Sequence, residues 1–445
     1  MGISDLLLYP IYLLIFYFIF KSRRKKYKDP ILKFYHAQGF WIKALAVIPF
    51  TLFNYKLSPG DSYVLYHVEG ANIYHMILHD FSNIKWLYLP GKDFDEALLK
   101  DIWNLGYFRD ENNYMVARIV AILSFFTFGK YMVTNLFFSM ISFAGVWRLF
   151  RFFYEQYPHL HKQFAIAILY LPTFVFWSSG ILKDPLCTGA IGWITFSLYE
   201  ALYKKKDILK HIIIVSFFCF LLSQLKVYIL ISYLPFFFLF LILKNVNLVK
   251  NIFVKLLLAP TLIIFSVIIF TKAMDKLEGT FGEYATEGLS KSIKSYQQAY
   301  ESQASFAESN FSLGVVYDGS VGSLIKMAPA AVVATLYRPF IWETRKLSTL
   351  ITSLESLFIM LFTFKVLYTA GITNFIRTII KDPTILYCIL FSLLFALFVG
   401  ATTLNFGTLV RYKIPCMPFY LIALFLIIDK NKKNKPGKSK QLALK

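Results

Sequence analysis

The chain has 445 residues and a net charge of +21, with 57% hydrophobic residues, 19% aromatics and only 16% charged residues. A soluble chain of this length would fold into roughly two or three domains with polar surfaces, and so few charges cannot cover them. The composition excludes an ordinary soluble protein, and the 47 phenylalanines suit a surface facing lipid.

The first apolar run, Leu6 to Phe20, has no positive segment ahead of it and no small-residue cleavage site. Lys21, Arg23, Arg24, Lys25, Lys26 and Lys28 follow it directly, so it reads as a retained span with its C-terminal end inside, not a signal peptide. A membrane span needs about 20 mostly apolar residues. Such stretches recur at 6–20, 40–57, 131–150, 163–178, 186–203, 210–223, 227–243, 252–271, 347–367, 385–401 and 413–428. The expected fold class is all-α: a single polytopic membrane domain over 1–445, built as a bundle of about 11 spans.

Two long polar stretches interrupt these spans, 58–117 and 272–346. Loops of such length are usually functional or disordered. The first carries Tyr63, Tyr66, Trp86, Tyr88, Trp103 and Tyr107, which predicts a folded layer of interfacial helices along the membrane. In the second, 287–309 reads as a polar helix, Gly314 to Gly322 as a turn region, and 324–336 as a short apolar segment in the interface. Val116 to Phe128 is apolar but short, and Gly129-Lys130 separates it from the next span. A crossing there would invert everything after it and put the basic tail, 429–445, outside. We therefore lay that segment along the outer interface.

With that assignment, essentially all of the +21 excess lies on one side, which the positive-inside rule makes the cytoplasm. The N-terminus is then outside, the C-terminus is cytoplasmic, and both long loops are outer loops. The charge needs no nucleic acid to explain it, and membrane lipids are the expected surroundings. The four cysteines, Cys187, Cys219, Cys388 and Cys416, fall within or at the ends of spans and form no CxxC motif.

Ionisable residues at span ends are the informative ones, because charge in lipid is costly. Asp61 follows the second span in Ser58-Pro-Gly-Asp-Ser-Tyr63, and Lys183-Asp184 closes the fourth. Lys226 lies in the turn between 210–223 and 227–243. Arg338, Glu343 and Arg345 share the segment Leu336 to Arg345, Arg411 and Lys413 end the tenth span, and Glu355 is a carboxylate well inside a span. Transfer of a sugar from a lipid phosphate needs a base for the acceptor hydroxyl and positive charge where the phosphate leaves. Arginine forks suit phosphate well. The same cations can also snorkel to headgroups or pair with nearby acids, and Asp61 can equally cap a helix beginning near Ser62.

His75 and His79 are four residues apart and share a helix face, with Asp80 beside them and His67 earlier. That spacing could hold a divalent metal, but no third ligand can be placed and no HExxH glutamate is present, so an ordinary polar helix is the fuller account of them and no cofactor is implied. There is no Walker A, GxGxxG or nucleophile-elbow motif. Gly60, Gly180 and Gly407 read as permitting tight turns or close helix approach.

These residues resemble the multi-spanning GT-C-type glycosyltransferases, which include protein mannosyltransferase-like and aminoarabinose transferase-like enzymes. Members place a catalytic acid just after the span entering a large first outer loop, and use polyprenyl-phosphate-linked sugar donors. Asp61 in Pro59-Gly60-Asp61 matches that position, and 58–117 matches that loop. The chain departs from the pattern in its extra span 6–20 and in having Asp61-Ser62 where many members have paired acids. The segments Lys183-Asp184, Tyr337-Arg338-Pro339-Phe340 and Val410-Arg411-Tyr412 look closer to uncharacterised bacterial membrane proteins of surface-polysaccharide loci.

The resemblance implies a glycosyltransferase of surface glycan assembly on the outer face of a bacterial cytoplasmic (inner) membrane, with a polyprenyl-phosphate lipid and a sugar acceptor as partners. It makes Asp61 the base or acceptor orienter; beside it we expect Asp184 and Glu343 as the further site carboxylates, orienting cations or sugar together with Glu355, and Lys183, Lys226, Arg338 and Arg411 as the donor-phosphate cations. A polysaccharide polymerase or ligase, or a lipid-linked sugar transporter or flippase, is the alternative. Transport predicts repeat symmetry and spans broken by Gly or Pro.

The topology has a direct test. A reporter enzyme active only outside the cytoplasm is expected to work when fused after Gly91 or Ala304, and to fail after Lys206 or at the C-terminus. Activity at the C-terminal fusion would mean that 116–128 crosses the membrane.

Overall fold

A computed structural model describes residues 3–91, 110–245, 261, 310–315, 321–344 and 347–433. Regular structure among them is helical, apart from one bridge pairing Asn310 with Asn405. The chain divides into two compact units, Met1–Val227 and Tyr228–Lys445. The first holds α1 (Ile3–Lys25), α2 (Pro30–Leu52), α3 (Val68–His79), α4 (Glu111–Thr127), α5 (Tyr131–Gln156), α6 (His161–Ala165), α7 (Pro172–Trp177) and α8 (Lys183–Leu198). The helical run α9 (Ile208–Asn245) begins in the first unit and ends in the second. The second then holds α10 (Val321–Tyr337), α11 (Leu347–Ala370), α12 (Ile372–Lys381), α13 (Pro383–Thr402), α14 (Phe406–Tyr412) and α15 (Met417–Lys433).

Ser4–Lys25, Tyr131–Gln156, Ile208–Lys244, Thr349–Ala370 and Pro383–Thr402 are long and apolar enough to cross a membrane. α14 and α15 make a sixth if their pair, bent by 63°, is one broken span. This is the build of a membrane-embedded protein, with five to six candidate spans among the described residues where the hydropathy of the sequence predicts about 11.

The shortfall has local causes. The stretch 40–57 belongs to a helix that starts ten residues earlier, where Pro30 sits in its first turn and the Asp29 carboxylate accepts from Ile31 N at 2.8 Å. That start draws Lys33, His36 and Gln38 into the same helix. The stretch 163–178 is divided among α6, a π-helical turn Ile166–Tyr170 and α7, with Pro172 forcing the break. The stretch 186–203 is a 16-residue helix followed by another π-helical turn. Lys226 has non-helical backbone angles inside α9, at the position where a turn between 210–223 and 227–243 is expected. The stretch 252–271, the polar helix 287–309 and the tail from 434 lie outside the described residues, Thr261 apart.

Two glycine-lined crossings hold the units together internally. In the first, a Cβ on Gly145 of α5 would stand 1.9 Å from the Gly189 carbonyl oxygen, and one on Gly192 would stand 2.0 Å from that of Gly145. In the second, a Cβ on Gly400 of α13 would stand 2.1 Å from the Ala331 carbonyl oxygen of α10. Without water to drive association in lipid, small residues gain their stability by letting backbones approach.

The polar stretch after α2 is folded wherever it is described. α3 crosses α4 at Gly70, where a Cβ would lie 2.5 Å from Val120. Ile73, Ile77, Trp86, Tyr114, Ala117 and Ala121 form one buried core between them. α4, which covers the ambiguous segment 116–128, begins at an Asp110 cap and ends at Phe128 and Gly129, both at positive φ. Its Tyr114 hydroxyl donates to the Trp86 carbonyl, and Arg118 donates to that of Leu89 while pairing with Glu111 at 3.2 Å.

Glu69 is enclosed in this layer. It is 1% exposed, its Oε1 has no hydrogen-bond partner, and loss of hydration pushes its pKa up to about 8. The folded layer therefore keeps a proton that the unfolded chain releases near pH 4.5. Stability is full below that value and is lost progressively as pH rises to about 8. Thermal unfolding followed from about pH 5 to about pH 9 should show this fall, and Glu69→Gln, which cannot ionise, should flatten it. An unchanged slope in the variant would mean that the group responsible is elsewhere.

Candidate functional site

The sequence-predicted residues fall into two polar stations, one in each unit. The first is built around an interruption of helix. α7 stops at Trp177, residues 178–182 are buried and non-helical, and Lys183 opens α8. Lys183-Asp184 therefore begins a helix where the sequence reading has it close a span, because Pro172 to Trp177 is too short to carry the helix further.

Buried backbone that leaves a helix must find partners. Asn135 of α5 supplies one, its Oδ1 accepting from Ile181 N at 2.8 Å while its Nδ2 donates to Thr51 Oγ1 at 3.0 Å. Lys43 of α2 supplies the other. Its ammonium donates to the Ser178 carbonyl, to Ser178 Oγ at 2.8 Å and to Ser142 Oγ at 3.5 Å. Ser178 is the residue at which α7 ends, so Lys43 is a cation set on a helix C-terminus, where the dipole favours it. The residue went unremarked in the sequence reading, although a lysine near the start of the apolar stretch 40–57, far from the polar end at Lys56, is the signal that would have found it.

Asp184 is fully buried and accepts from Lys226 Nζ at 2.7 Å. Lys226 reaches it from the non-helical point of α9. Lys183 is half-buried beside this pair, near enough to Asp110 for the two charges to act on each other. Asp110 accepts from Asn113 Nδ2 at 2.7 Å, and the Asn113 Oδ1 accepts from the Tyr66 hydroxyl at 2.7 Å. Tyr66 belongs to the π-helical turn Asp61–His67, which is also tied to α5 through Ser62 and Tyr131 at 2.8 Å. The turn carrying Asp61 is thus hydrogen-bonded through Asn113 to Asp110, a residue no sequence motif flagged, whose charge acts on Lys183 at the start of α8. Gly60, not Asp61, occupies the cap position; Asp61 is the half-buried first residue of the turn. His67 lies stacked on Tyr63 at 5.6 Å, and burial lowers its pKa to about 4, so it is neutral at physiological pH.

The second station centres on Arg338, immediately after α10. Glu343 holds it as a fork, with Nε at 3.0 Å from Oε1 and 3.1 Å from Oε2, and Nη2 also donating to Oε1. Glu343 Oε2 takes the Phe340 amide at 2.9 Å as well. The guanidinium lies 4.2 Å from the centre of the Phe311 ring, which stacks on Phe406 at 4.7 Å. Asn405 joins this floor by a hydrogen bond to Asn310 at 2.8 Å and caps α14 through Gly407 N at 2.9 Å.

Lys413, fully buried at the break between α14 and α15, donates to the Arg338 carbonyl at 3.0 Å and to Ser356 Oγ at 2.9 Å. It is a second lysine bound to the carbonyl that ends a helix. Glu355, 8% exposed on α11, lies close enough for its charge to act on Lys413. Arg411 is half-buried on α14, 5.9 Å from the Tyr412 ring centre, on a separate short helix, not at the end of α13. Arg345 lies outside the described residues.

His75 and His79 are exposed on α3, and among the described residues no group of three or more His, Cys, Asp or Glu is placed to hold a metal. Gly180 does mark a close approach, since a Cβ there would stand 2.0 Å from the Phe50 ring. Of the proposed catalytic acids, Asp184 and Glu343 are each engaged with a cation, which suits orientation better than proton transfer. Asp61, like Glu343, is half-buried, whereas Asp184 is fully buried.

Comparison with family models, curated proteins and solved structures finds no match to this chain.

The buried pair has a measurable consequence. Removing one partner leaves an uncompensated charge, so Asp184→Ala is expected to cost roughly 3–5 kcal/mol. The double variant Asp184→Leu with Lys226→Met should recover most of that loss in thermal unfolding of the detergent-solubilised protein. If the double variant is no more stable than the single one, the acid has work beyond neutralising Lys226.

Proposed function

We propose that the chain is a membrane glycosyltransferase. It moves a sugar from a polyprenyl-phosphate-linked donor to an acceptor on the outer face of a bacterial cytoplasmic membrane, in surface glycan assembly. The observation that carries this is the link from the turn bearing Asp61, through Tyr66, Asn113 and Asp110, to Lys183 at the start of α8. It supports the reading by setting a half-buried carboxylate and a half-buried cation on segments that share Asp110, in a chain with helices long enough to hold an isoprenoid chain.

In this mechanism Asp61 takes the proton of the acceptor hydroxyl as it attacks the anomeric carbon. Lys183 stabilises the charge on the departing lipid phosphate. Asp184 and Lys226 neutralise each other and fix the α8 N-terminus. In the second unit the roles differ. Arg338 is already forked by Glu343, so it binds phosphate only through its remaining edge, and Arg411 is a second, half-buried cation of this unit. A donor bearing many sugars in place of one would make the same chemistry a polymerase or ligase.

A second reading has a specific observation in its favour. Transporters build their sites at broken helices, and α14 and α15 are bent by 63° at a break containing Pro415, while α9 is interrupted at Lys226. A carrier of lipid-linked sugars would use such breaks, and needs no base.

Asp61→Asn separates the two. Because Gly60 is the cap, the amide should leave expression and folding intact. Loss of a general base typically lowers rate by 10²–10⁴-fold, so glycan product from purified protein should fall by about that factor. Product at the wild-type rate would remove Asp61 from the chemistry and favour transport.

A further inference from the structure

α1 ends in a run of cations whose surroundings differ from those of the stations above. Beside its last turns lies a pocket of about 780 Å³ lined by Phe18, Ile19, Ser22, Arg23, Lys26 and Arg151, with Tyr27. Its two chemistries are spatially sorted. Phe18 and Ile19 are 56% and 44% exposed and face outward from an apolar helix long enough to span, so they are lipid-facing. One turn further on, Ser22 and Arg23 of the helix and Lys26 just past its end are exposed and polar.

The acids nearby are already used. Glu155 accepts from Arg151 at 3.0 Å and from Lys204 at 2.6 Å, and Glu200 accepts from Lys204 at 2.6 Å. Asp29 caps α2 and takes the Tyr154 hydroxyl. Arg23 and Lys26 have no carboxylate partner among the described residues, and Arg151 keeps a buried Nε without a hydrogen-bond partner. Arg151 is held in place by its ring neighbours, 4.6 Å from the Phe196 centre and 5.6 Å from that of Tyr27. Three cations with donors to spare, at the end of an apolar face, are an anion site at the depth of a lipid headgroup.

We propose that this pocket binds the phosphate of an anionic phospholipid, with Arg23, Lys26 and Arg151 on the headgroup and the acyl chains along Phe18 and Ile19. The apolar wall argues for a lipid over a free phosphate ion, since a small anion gains nothing from it. A second pocket has a similar mix, with Arg24 of α1 and Lys33 of α2 beside Phe34, Trp41 and Ile42 of α2. Basic pockets between membrane helices commonly bind such headgroups. The site is independent of sugar transfer, and it makes the lipid composition of the membrane a determinant of how α1 is held against α5.

The test uses the full chain in nanodiscs of phosphatidylcholine with increasing phosphatidylglycerol, with retained lipids counted by native mass spectrometry after release. Wild type should keep phosphatidylglycerol in preference to phosphatidylcholine. Arg23→Gln with Lys26→Gln should weaken that preference by about fivefold per charge removed. The charge-preserving pair Arg23→Lys with Lys26→Arg should retain it, which guards against a folding defect. Lys25→Gln with Lys28→Gln removes equal charge outside the pocket and should change little. The proposal is overturned if wild type shows no preference, if the control pair loses as much as the pocket pair, or if millimolar inorganic phosphate displaces the lipid and so identifies a small-anion site.

Discussion

Inside a bilayer the backbone has no water to bond, so every amide and carbonyl must be satisfied within the protein. Most of this chain meets that demand by continuous helix. Where helix stops, at residues 178–182 and just past α10, a buried lysine takes over. Lys43 donates to the carbonyl where α7 stops, and Lys413 to the carbonyl just past α10. The positions of Asn135, Ser142 and Ser356 follow from this, since each completes the same local accounting.

That demand also explains why so many of the charged residues are engaged. A carboxylate or ammonium withdrawn from water is tolerable when a partner of opposite sign is fixed against it. Asp184 with Lys226 and Glu343 with Arg338 meet this condition, one wholly buried and the other half-buried on an aromatic floor. Such pairs rigidify the ends of helices as well as neutralising them. Glu69 takes a different route, staying protonated in the layer formed by α3 and α4.

Close backbone approach is the other recurring device. Gly145 against Gly189, and Gly400 against Ala331, bring main chains into contact with no side chain between them. Apolar side chains gain nothing by leaving lipid for a protein interior of equal polarity, so dispersion between closely packed backbones replaces the hydrophobic effect. The polar layer of α3 and α4 is built in the opposite way, around a tightly packed aromatic and aliphatic core of its own.

The amino-acid sequence by itself determined the all-helical class and the membrane setting, because both depend on composition and on runs of apolar residues. It also marked charged positions such as Asp184, Lys226, Arg338 and Lys413 as worth examining, since an ionisable residue next to an apolar run is visible without any structure. Span boundaries were less legible: hydropathy is blind to a Pro172 break, to a cap at Asp29 that starts a helix early, and to the π-helical turns after Leu52 and Leu198. Only the tertiary structure decided which charges are partnered. Lys226 meets Asp184 across 42 positions and Lys413 meets the Arg338 carbonyl across 75. Such separations carry no local signal, because the pairing energy arises only once helix packing has excluded water from both groups.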